Sequence, residues 1–221
     1  MKSVGTVTST PVYQTVSNRL IGYEYRQPLW QSSNGGWPQC PSRSLCATAE
    51  AALIRYTVPW GGSAIARTTF AGILTDTGST AIDPYAPSWS VVDSVEDATL
   101  LQGRTLQKVG WHGGWTQGSV TQTCTDYRMF VEGNWTPYVV LCSWSANFTS
   151  LPGDSGSPVF MNKLGSYGNL VQLVGTVWAG TFGVSTFSFY PYIAWELTGR
   201  DTQLACGSVS PCWPRLGVSG L

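Results

Sequence analysis

Short runs of apolar and β-branched residues recur along this chain, and clusters of Gly, Pro, Ser and Asn separate them. Runs of this length between turn-forming residues are typical of antiparallel β-sandwiches and β-barrels. An apolar fraction of 43% in 221 residues is enough to build one large β-domain or two small ones. The sequence therefore predicts an all-β fold. The clearest runs are Arg67 to Leu74, Ser119 to Cys124, Tyr138 to Cys142, Pro158 to Met161 and Leu170 to Trp178.

One helix is predicted, close to the C-terminus. Pro191 suits the first turn of a helix, Ile193 and Leu197 are four residues apart, and Gly199 can end the helix. The segment from Ala47 to Tyr56 is rich in Ala but ends in Leu-Ile-Arg-Tyr, so its composition leaves both helix and strand open.

A boundary between two β-units is predicted within Asp93 to Gly103, because this acidic segment precedes a new β pattern punctuated by glycines. The first unit then comprises residues 1–98 and the second comprises residues 99–200. Residues 201–221 form an extension that a disulfide closes.

The six cysteines fall as three sequential pairs, which we interpret as local disulfides. Zinc sites need thiolates at about two- to four-residue spacing with His support, whereas this sequence has no Cys-x-x-Cys and a single His. No metal site is therefore expected. Disulfides form in oxidising compartments, so the protein is expected to be secreted. The pairs are Cys40 with Cys46, Cys124 with Cys142, and Cys206 with Cys212.

Charge and hydropathy exclude several classes of partner. Twelve basic and twelve acidic residues cancel, and no run of Lys or Arg occurs, so neither nucleic acid nor a membrane is an expected partner. No phosphate-binding Gly loop and no carboxylate cluster for calcium occurs, so no cofactor is expected. We expect a monomer. Two Asn-x-Thr sequons, at Asn134 and Asn147, indicate nothing by themselves because the triplet is common by chance.

The segment Leu151-Pro-Gly-Asp-Ser-Gly-Ser-Pro-Val-Phe160 places the hydroxyl of Ser155 on a tight turn between glycines. Glycines let the backbone approach a substrate carbonyl, and the amides of Gly153 and Ser155 can stabilise a developing oxyanion. The carboxylate of Asp154 can hold the turn from inside the protein. The alternative is an ordinary Asp-Ser-Gly turn between two strands.

The chain resembles chymotrypsin-like serine peptidases, in particular the secreted bacterial streptogrisin and α-lytic types. Besides the Ser155 segment, several further segments match this family, and they follow one another in the same order as in the family. The resemblance covers Leu101 to Gly199, and more moderately Cys46 to Tyr56. The matching segments are Leu106 to Val120 (the strand that opens the second barrel), Cys124 with Cys142 (a cross-strand disulfide), Val174-Gly-Thr-Val-Trp-Ala-Gly180 (the substrate-pairing strand) and Pro191 to Gly199 (the terminal helix).

This resemblance implies two antiparallel β-barrels and a serine endopeptidase that hydrolyses peptide bonds through an acyl-enzyme on Ser155. Peptides or proteins are then the substrates. In the family a His, oriented by an Asp, takes the proton of the nucleophile. The segment Cys46-Ala-Thr-Ala-Glu-Ala-Ala-Leu resembles the one that carries this Asp, and Glu50 stands at its position. The alternative is that Glu50 is an exposed loop residue.

The catalytic His is not identifiable. The family places it upstream of the orienting carboxylate, and the single His of this chain, His112, lies in the opening segment of the second barrel. We expect a packed or surface imidazole at His112 rather than a base. The segment from Met1 to Pro11 also lacks the apolar stretch, about seven residues or more, that a signal peptide requires.

Both observations lead to the hypothesis that the chain starts partway into the first barrel, which is then truncated at its N-terminus. The rival hypothesis is a catalytically inactive homologue that keeps the groove as a module for binding peptides or proteins. A third alternative is a carbohydrate-binding β-module, since the chain has eleven Trp residues and Trp rings stack on sugars. Core packing explains most of these Trp residues more simply.

By the same resemblance, Thr149 lies at the floor of the primary specificity pocket, and Gly180 and Gly183 form its walls. None of the three is acidic, and the glycines leave room for a large side chain. The expected preference is for Phe, Tyr or Leu before the scissile bond. The alternative for these glycines is a role in tight turns.

Overall fold

The computed structural model describes residues 6–7, 9–14, 18–32, 39–57, 64–68, 80–131, 133–165, 169–181 and 183–198. Within these ranges the predicted all-β fold is confirmed, and the one α-helix lies near the C-terminus as expected. The elements are β1 (Thr6–Val7), β2 (Pro11–Gln14), β3 (Arg19–Gln27), β4 (Leu45–Ala47), β5 (Leu53–Tyr56), β6 (Ala64–Ala66), β7 (Ser88–Ser94), a 3₁₀ turn (Ala98–Leu101), β8 (Thr105–Gly110), β9 (Gly114–Met129), β10 (Tyr138–Ala146), β11 (Pro158–Asn162), β12 (Leu170–Thr181), β13 (Val184–Phe189) and α1 (Tyr190–Thr198).

Six strands close into an antiparallel barrel. In the order β11, β8, β9, β10, β13, β12, each strand pairs with the next, and β12 pairs back onto β11. Closure leaves no unpaired strand edge around the barrel. The interior is filled by fully buried apolar side chains, among them Leu106, Phe148, Val159, Phe187 and Phe189.

Strand β10 is buried on both faces, from Val139 to Ala146. One face contributes Trp144 and Ala146 to the barrel interior. The other face carries Val139 and Leu141, which pack with Trp195 of α1. The helix therefore covers the outside of the barrel at this strand.

The remaining described strands form two further groups. Strand β3 pairs antiparallel with β1, β2 and β5 in a four-stranded sheet. Strands β4 and β7 instead pair in parallel with β10 and β12, and β6 pairs with β7. Three strands that precede residue 99 thus extend the barrel's sheet. The division into units 1–98, 99–200 and 201–221 remains a prediction, and residues 201–221 lie outside the described ranges.

Most predicted strands appear in the structure. The runs that begin at Ser119, Tyr138, Pro158 and Leu170 lie in β9, β10, β11 and β12. From Arg67 to Leu74 only Arg67 and Thr68 are described, and Thr68 forms an isolated bridge to Ile82.

The ambiguous segment from Ala47 to Tyr56 contains no helix, because β4 ends at Ala47 and β5 begins at Leu53. Helix α1 begins at Tyr190, which places Pro191 in its first turn, whereas Gly199 lies outside the described residues. No helix in the described ranges has the length and hydropathy to cross a membrane.

Two of the three predicted disulfides are present. Cys40 is bonded to Cys46, and Cys124 is bonded to Cys142 across β9 and β10. The predicted pair Cys206 and Cys212 lies outside the described residues.

Candidate active site

Ser155 lies on the turn that precedes β11, with an exposed side chain. The flanking residues Gly153 and Gly156 have φ angles of 101° and 85°, in the left-handed region that side chains disfavour. The Ser155 hydroxyl donates a hydrogen bond of 3.4 Å to the carbonyl oxygen of Trp178 in β12. The predicted turn followed by a strand is therefore observed, and it presents the hydroxyl to solvent.

The backbone amides of this turn fall into two sets. Asp154 N–H donates to Leu151 O (2.9 Å), and Gly156 N–H donates to Val177 O (2.7 Å). Among the described residues, no group accepts a hydrogen bond from the amides of Gly153 or Ser155. The two amides predicted as oxyanion donors are thus the ones that the fold leaves available.

Asp154 is fully buried beneath the turn and accepts several hydrogen bonds. The ammonium of Lys108, also fully buried, lies 2.7 Å from Asp154 Oδ2. The backbone amides of His112 and Gly113 both donate to Oδ1 over 2.9 Å, and Leu151 N–H donates to Oδ2 over 3.1 Å. The carboxylate thus ties the Ser155 turn to β8 and to the tight turn between β8 and β9.

Burial acts on both ionised groups of this pair. Desolvation by itself would raise the pKa of the Asp154 carboxyl, but hydrogen bonds from Gly113, Lys108 and Leu151 outweigh it and hold the pKa below its ordinary value. Desolvation lowers the pKa of Lys108, and the neighbouring Asp154 carboxylate partly opposes this effect. The pair therefore depends on both partners being present.

Two glycines make room for this carboxylate. A β-carbon at Gly110 would overlap the Asp154 carboxylate, and one at Gly113 would overlap the same group and lie 2.7 Å from Lys108 Nζ. Sequence reasoning missed Lys108, Gly110 and Gly113 as site residues. The available signal was a Lys in a short β-strand pattern shortly before the Gly-rich segment Gly110-Trp-His-Gly-Gly114.

His112 lies beside the turn that carries Ser155, but its imidazole does not contact the Ser155 hydroxyl through a hydrogen bond. Its Nδ1 is 2.9 Å from Pro152 O, and because a carbonyl only accepts, this nitrogen carries the proton. Among the described residues, no hydrogen bond joins the imidazole to Ser155. The ring is exposed and lies near Trp111, with 6.0 Å between the ring centroids.

Glu50 and Ser155 line the same cleft, which has a volume of about 500 Å³. Residues of β3, including Glu24 and Gln27, also line this cleft. Glu50 is exposed in the connection between β4 and β5, and desolvation raises the pKa of its carboxyl. Within the described chain, no hydrogen bond joins this carboxylate to Ser155, and His112 does not line the cleft. The structure thus brings Ser155 and Glu50 to one cleft, whereas His112, expected to be a packed or surface imidazole, is exposed and does not line it.

The segment that carries Glu50 is held by α1. The fully buried carboxylate of Glu196 accepts hydrogen bonds from Thr48 N–H (3.2 Å) and from Thr48 Oγ1 (2.8 Å). Ile193 and Leu197 pack against Ala49 on the same helix face. These contacts place Glu50 at the cleft, although it follows the last residue of β4 by three positions.

The three residues predicted for the specificity pocket lie together beside the β12–β13 hairpin. Thr149 is fully buried, and its Oγ1 accepts a hydrogen bond of 3.1 Å from Gly183 N–H. A β-carbon at Gly180 would lie 2.7 Å from Ser150 Cβ. Gly180 therefore lies against Ser150 and admits no side chain. Among the described residues, no group of three His, Cys, Asp or Glu side chains could hold a metal ion.

Comparison with known proteins finds a likeness in fold only. No family model matches the chain, and no curated protein matches it. The solved structures that are similar include a glutamic acid specific serine protease, at 16% identity over 84% of this chain and 76% of that one, with a TM-score of 0.45. A Nocardiopsis protease is 12% identical over 87% and 94% of the two chains, with a TM-score of 0.45. Chymotrypsin of Cellulomonas bogoriensis is 15% identical over 88% and 94%, with a TM-score of 0.40.

Proposed function

We propose that the chain is a serine endopeptidase in which Ser155 is the nucleophile and the amides of Gly153 and Ser155 stabilise the oxyanion. The observation that carries the proposal is the pair of unengaged amides beside an exposed hydroxyl, on a turn whose neighbouring amides are engaged. An ordinary connecting turn needs neither this free pair nor a buried ion pair beneath it. Preorganised donors of this kind stabilise the charge that develops on a substrate carbonyl oxygen.

In the proposed reaction, Ser155 Oγ attacks the scissile carbonyl carbon and its proton passes to a base. The base later protonates the leaving amine, and water then hydrolyses the acyl-enzyme. The present partner of Oγ, the carbonyl of Trp178, cannot take this proton. Glu50 lies on the same cleft, where its carboxylate can orient an imidazole. The cleft is large enough to admit such a base.

A second candidate function is that of an inactive homologue which binds peptides or proteins in this groove. It is favoured by one observation: no described residue that can act as a base is hydrogen-bonded to Ser155 Oγ. The reactivity of the hydroxyl separates the two candidates.

A fluorophosphonate probe is expected to label Ser155, and added imidazole is expected to accelerate labelling by about 100-fold, as general-base catalysis does. The reason is that a diffusible base can enter the cleft between Glu50 and Ser155. Labelling is measured by gel fluorescence over a series of imidazole concentrations, with the site identified by mass spectrometry.

The Ser155→Ala variant is the blank for this experiment, and Glu50→Gln tests the orienting carboxylate. Glu50→Gln is expected to keep the basal labelling and to lose most of the acceleration. If the folded protein stays unlabelled at every imidazole concentration, the peptidase proposal is wrong and the inactive homologue is favoured.

We further propose that the active form prefers Phe, Tyr or Leu before the scissile bond. Thr149, Gly180 and Gly183 lie together, and none of them carries a charge that would attract a basic side chain. Peptide phosphonates with Phe at this position are therefore expected to inactivate Ser155 faster than the matched Lys phosphonates, in the presence of imidazole. The inactivation rates of the two probes are compared directly, and a faster Lys probe would overturn the preference.

A further inference from the structure

The two Asn-x-Thr sequons lie in very different surroundings. Asn134-Trp135-Thr136 belongs to the connection between β9 and β10, whereas Asn147-Phe148-Thr149 directly follows β10. Only a sequon with a free amide and open space around it can carry a glycan in the folded protein.

The second sequon is built into the fold. The side-chain oxygen of Asn147 accepts a hydrogen bond from Ser119 N–H, and the neighbouring Gly118 approaches so closely that its β-carbon would lie 2.7 Å from Asn147 O. Phe148 and Thr149 are both fully buried. Because Phe148 and Thr149 are buried, a modifying enzyme cannot reach the whole Asn-x-Thr triplet of the folded protein, so this site is closed to modification in the folded state.

The first sequon is open. Asn134 is exposed, and its Oδ1 accepts a hydrogen bond of 2.9 Å from Thr136 N–H. Its Nδ2 donates to the hydroxyl of Tyr138 over 3.1 Å, in an exposed contact. Since the amide nitrogen carries two protons, one of them remains available for substitution. A sugar on Nδ2 therefore breaks no buried hydrogen bond.

Next to this amide lies an exposed apolar surface, which we call the aromatic tip: Phe130, Val131 and Trp135. Their exposed fractions are 64%, 51% and 95%. Together with Gly133 and Asn134 they line a depression of about 380 Å³. Contiguous exposed apolar surface of this kind usually marks a place that something covers. The depression contains the sequon Asn itself, so a sugar attached there would lie against these rings.

We propose that Asn134 is an N-glycosylation site and that the first sugars of its glycan cover the aromatic tip. In the glycosylation step, a bond forms between Asn134 Nδ2 and the anomeric carbon of an oligosaccharide. The amide loses one proton, and the lipid pyrophosphate that carried the oligosaccharide leaves. The sugar presents its C–H face to the Phe130 and Trp135 rings and its hydroxyls to water. The proposal is independent of the chemistry at Ser155.

The test is secretion of the full chain from a eukaryotic host, followed by peptide mapping before and after treatment with an amidase that removes N-glycans. Glycan is expected on the peptide that contains Asn134 and absent from the peptide that contains Asn147. Asn134→Gln and Thr136→Val are each expected to abolish the mass shift on amidase treatment, and neither changes a buried residue. Secreted protein without glycan at Asn134, or folded protein with glycan at Asn147, would contradict the proposal.

Coverage of the tip is tested separately with a dye that fluoresces on exposed apolar surface. Deglycosylation is expected to raise dye fluorescence severalfold, to the level of Asn134→Gln, and Trp135→Ser in the Asn134→Gln background is expected to reverse most of this rise. Amidase treatment of Asn134→Gln is the matched control and should change nothing. Equal dye binding by the glycosylated and deglycosylated proteins would overturn the coverage of the tip.

Discussion

Replacing Asp154 with alanine is expected to lower the free energy of unfolding by about 3–5 kcal/mol, the usual cost of leaving one charge of a buried pair alone. Lys108 and Asp154 are both fully buried, with 2.7 Å between Nζ and Oδ2. The substitution also removes the acceptor for the amides of His112, Gly113 and Leu151. The turn that carries Ser155 then loses its internal support, so labelling of Ser155 is expected to disappear as well. Urea unfolding and fluorophosphonate labelling measure the two effects.

The matched control is Asp93→Ala. Asp93 forms an ion pair of 3.0 Å with Lys163, but the side chains of both are about two-fifths exposed, at 41% and 40%. Exposed pairs contribute about 0–1 kcal/mol, so this variant should remain close to the wild type in stability and labelling. Equal losses in the two variants would show that the buried pair has no special role.

The same pair predicts an acid-sensitive stability. The pKa of Asp154 is lower in the folded protein than in the unfolded chain, so its contribution is fully present above the unfolded value and is lost as the pH falls through the folded value. The wild type should therefore lose more stability than Asp154→Ala when unfolding is compared at neutral and at strongly acidic pH. A constant difference between the two proteins across this range would contradict the proposed ionisation of Asp154.

The second large effect is expected from Gly113→Ala. The added methyl group would overlap the Asp154 carboxylate and lie 2.7 Å from Lys108 Nζ, so one of these groups must move. Overpacking of this kind costs about 1–3 kcal/mol. Displacement of Asp154 also disturbs the amides of Gly153 and Ser155, and loss of one oxyanion donor slows acyl transfer by about 100-fold or more. The labelling rate of Ser155 should fall accordingly, while far-ultraviolet circular dichroism stays unchanged.

Gly103→Ala serves as the control for this substitution. Gly103 has a φ of 67°, so alanine there is strained by about 1–2 kcal/mol. Its added β-carbon, however, would meet no atom within 4 Å. A modest loss of stability with normal labelling is expected for Gly103→Ala. If both glycine variants label normally, the close approach of Gly113 to Asp154 has no bearing on the nucleophile.

The proposed reaction places different demands on the two sides of the cleft. The Ser155 side is already organised, because Asp154 holds the turn and the amides of Gly153 and Ser155 are unengaged. Glu50, which lines the same cleft, is anchored through α1, but no imidazole among the described residues is hydrogen-bonded to its carboxylate. In the proposed reaction, oxyanion stabilisation and activation of the hydroxyl can therefore be tested separately. The imidazole series and the Asp154 and Gly113 variants test them independently.

The sequence predicted the parts of the site that depend on neighbouring residues. Gly153 and Gly156 flank Ser155, and both adopt the positive φ that their type permits. The sequential pairing of Cys40 with Cys46 and of Cys124 with Cys142 is confirmed. Apolar and β-branched runs located the barrel strands β9, β10, β11 and β12, since the residue pattern of a strand is a local property. Strand β9 extends beyond its predicted run at both ends, and no run predicted β13.

Other features required residues that are far apart in sequence to meet. The ion-pair partner of Asp154 is Lys108, which lies 46 positions earlier in the sequence. No local sequence pattern predicts that these two residues meet. Glu196 holds the segment next to Glu50 from 148 positions away. The two sequons look alike as triplets, yet one is exposed and the other has two fully buried residues.

By itself, then, the sequence determined the β-rich fold, the short terminal helix, two disulfides and the turn that presents Ser155. Only the tertiary structure decided that Lys108 neutralises Asp154 and that Glu50 shares a cleft with Ser155. It also decided that the His112 imidazole is hydrogen-bonded to the carbonyl oxygen of Pro152 and not to Ser155. The physical reason is that turns and strands follow from steric preferences between near neighbours. Charge pairing, desolvation and the walls of a cleft depend instead on which strands closure of the barrel brings together.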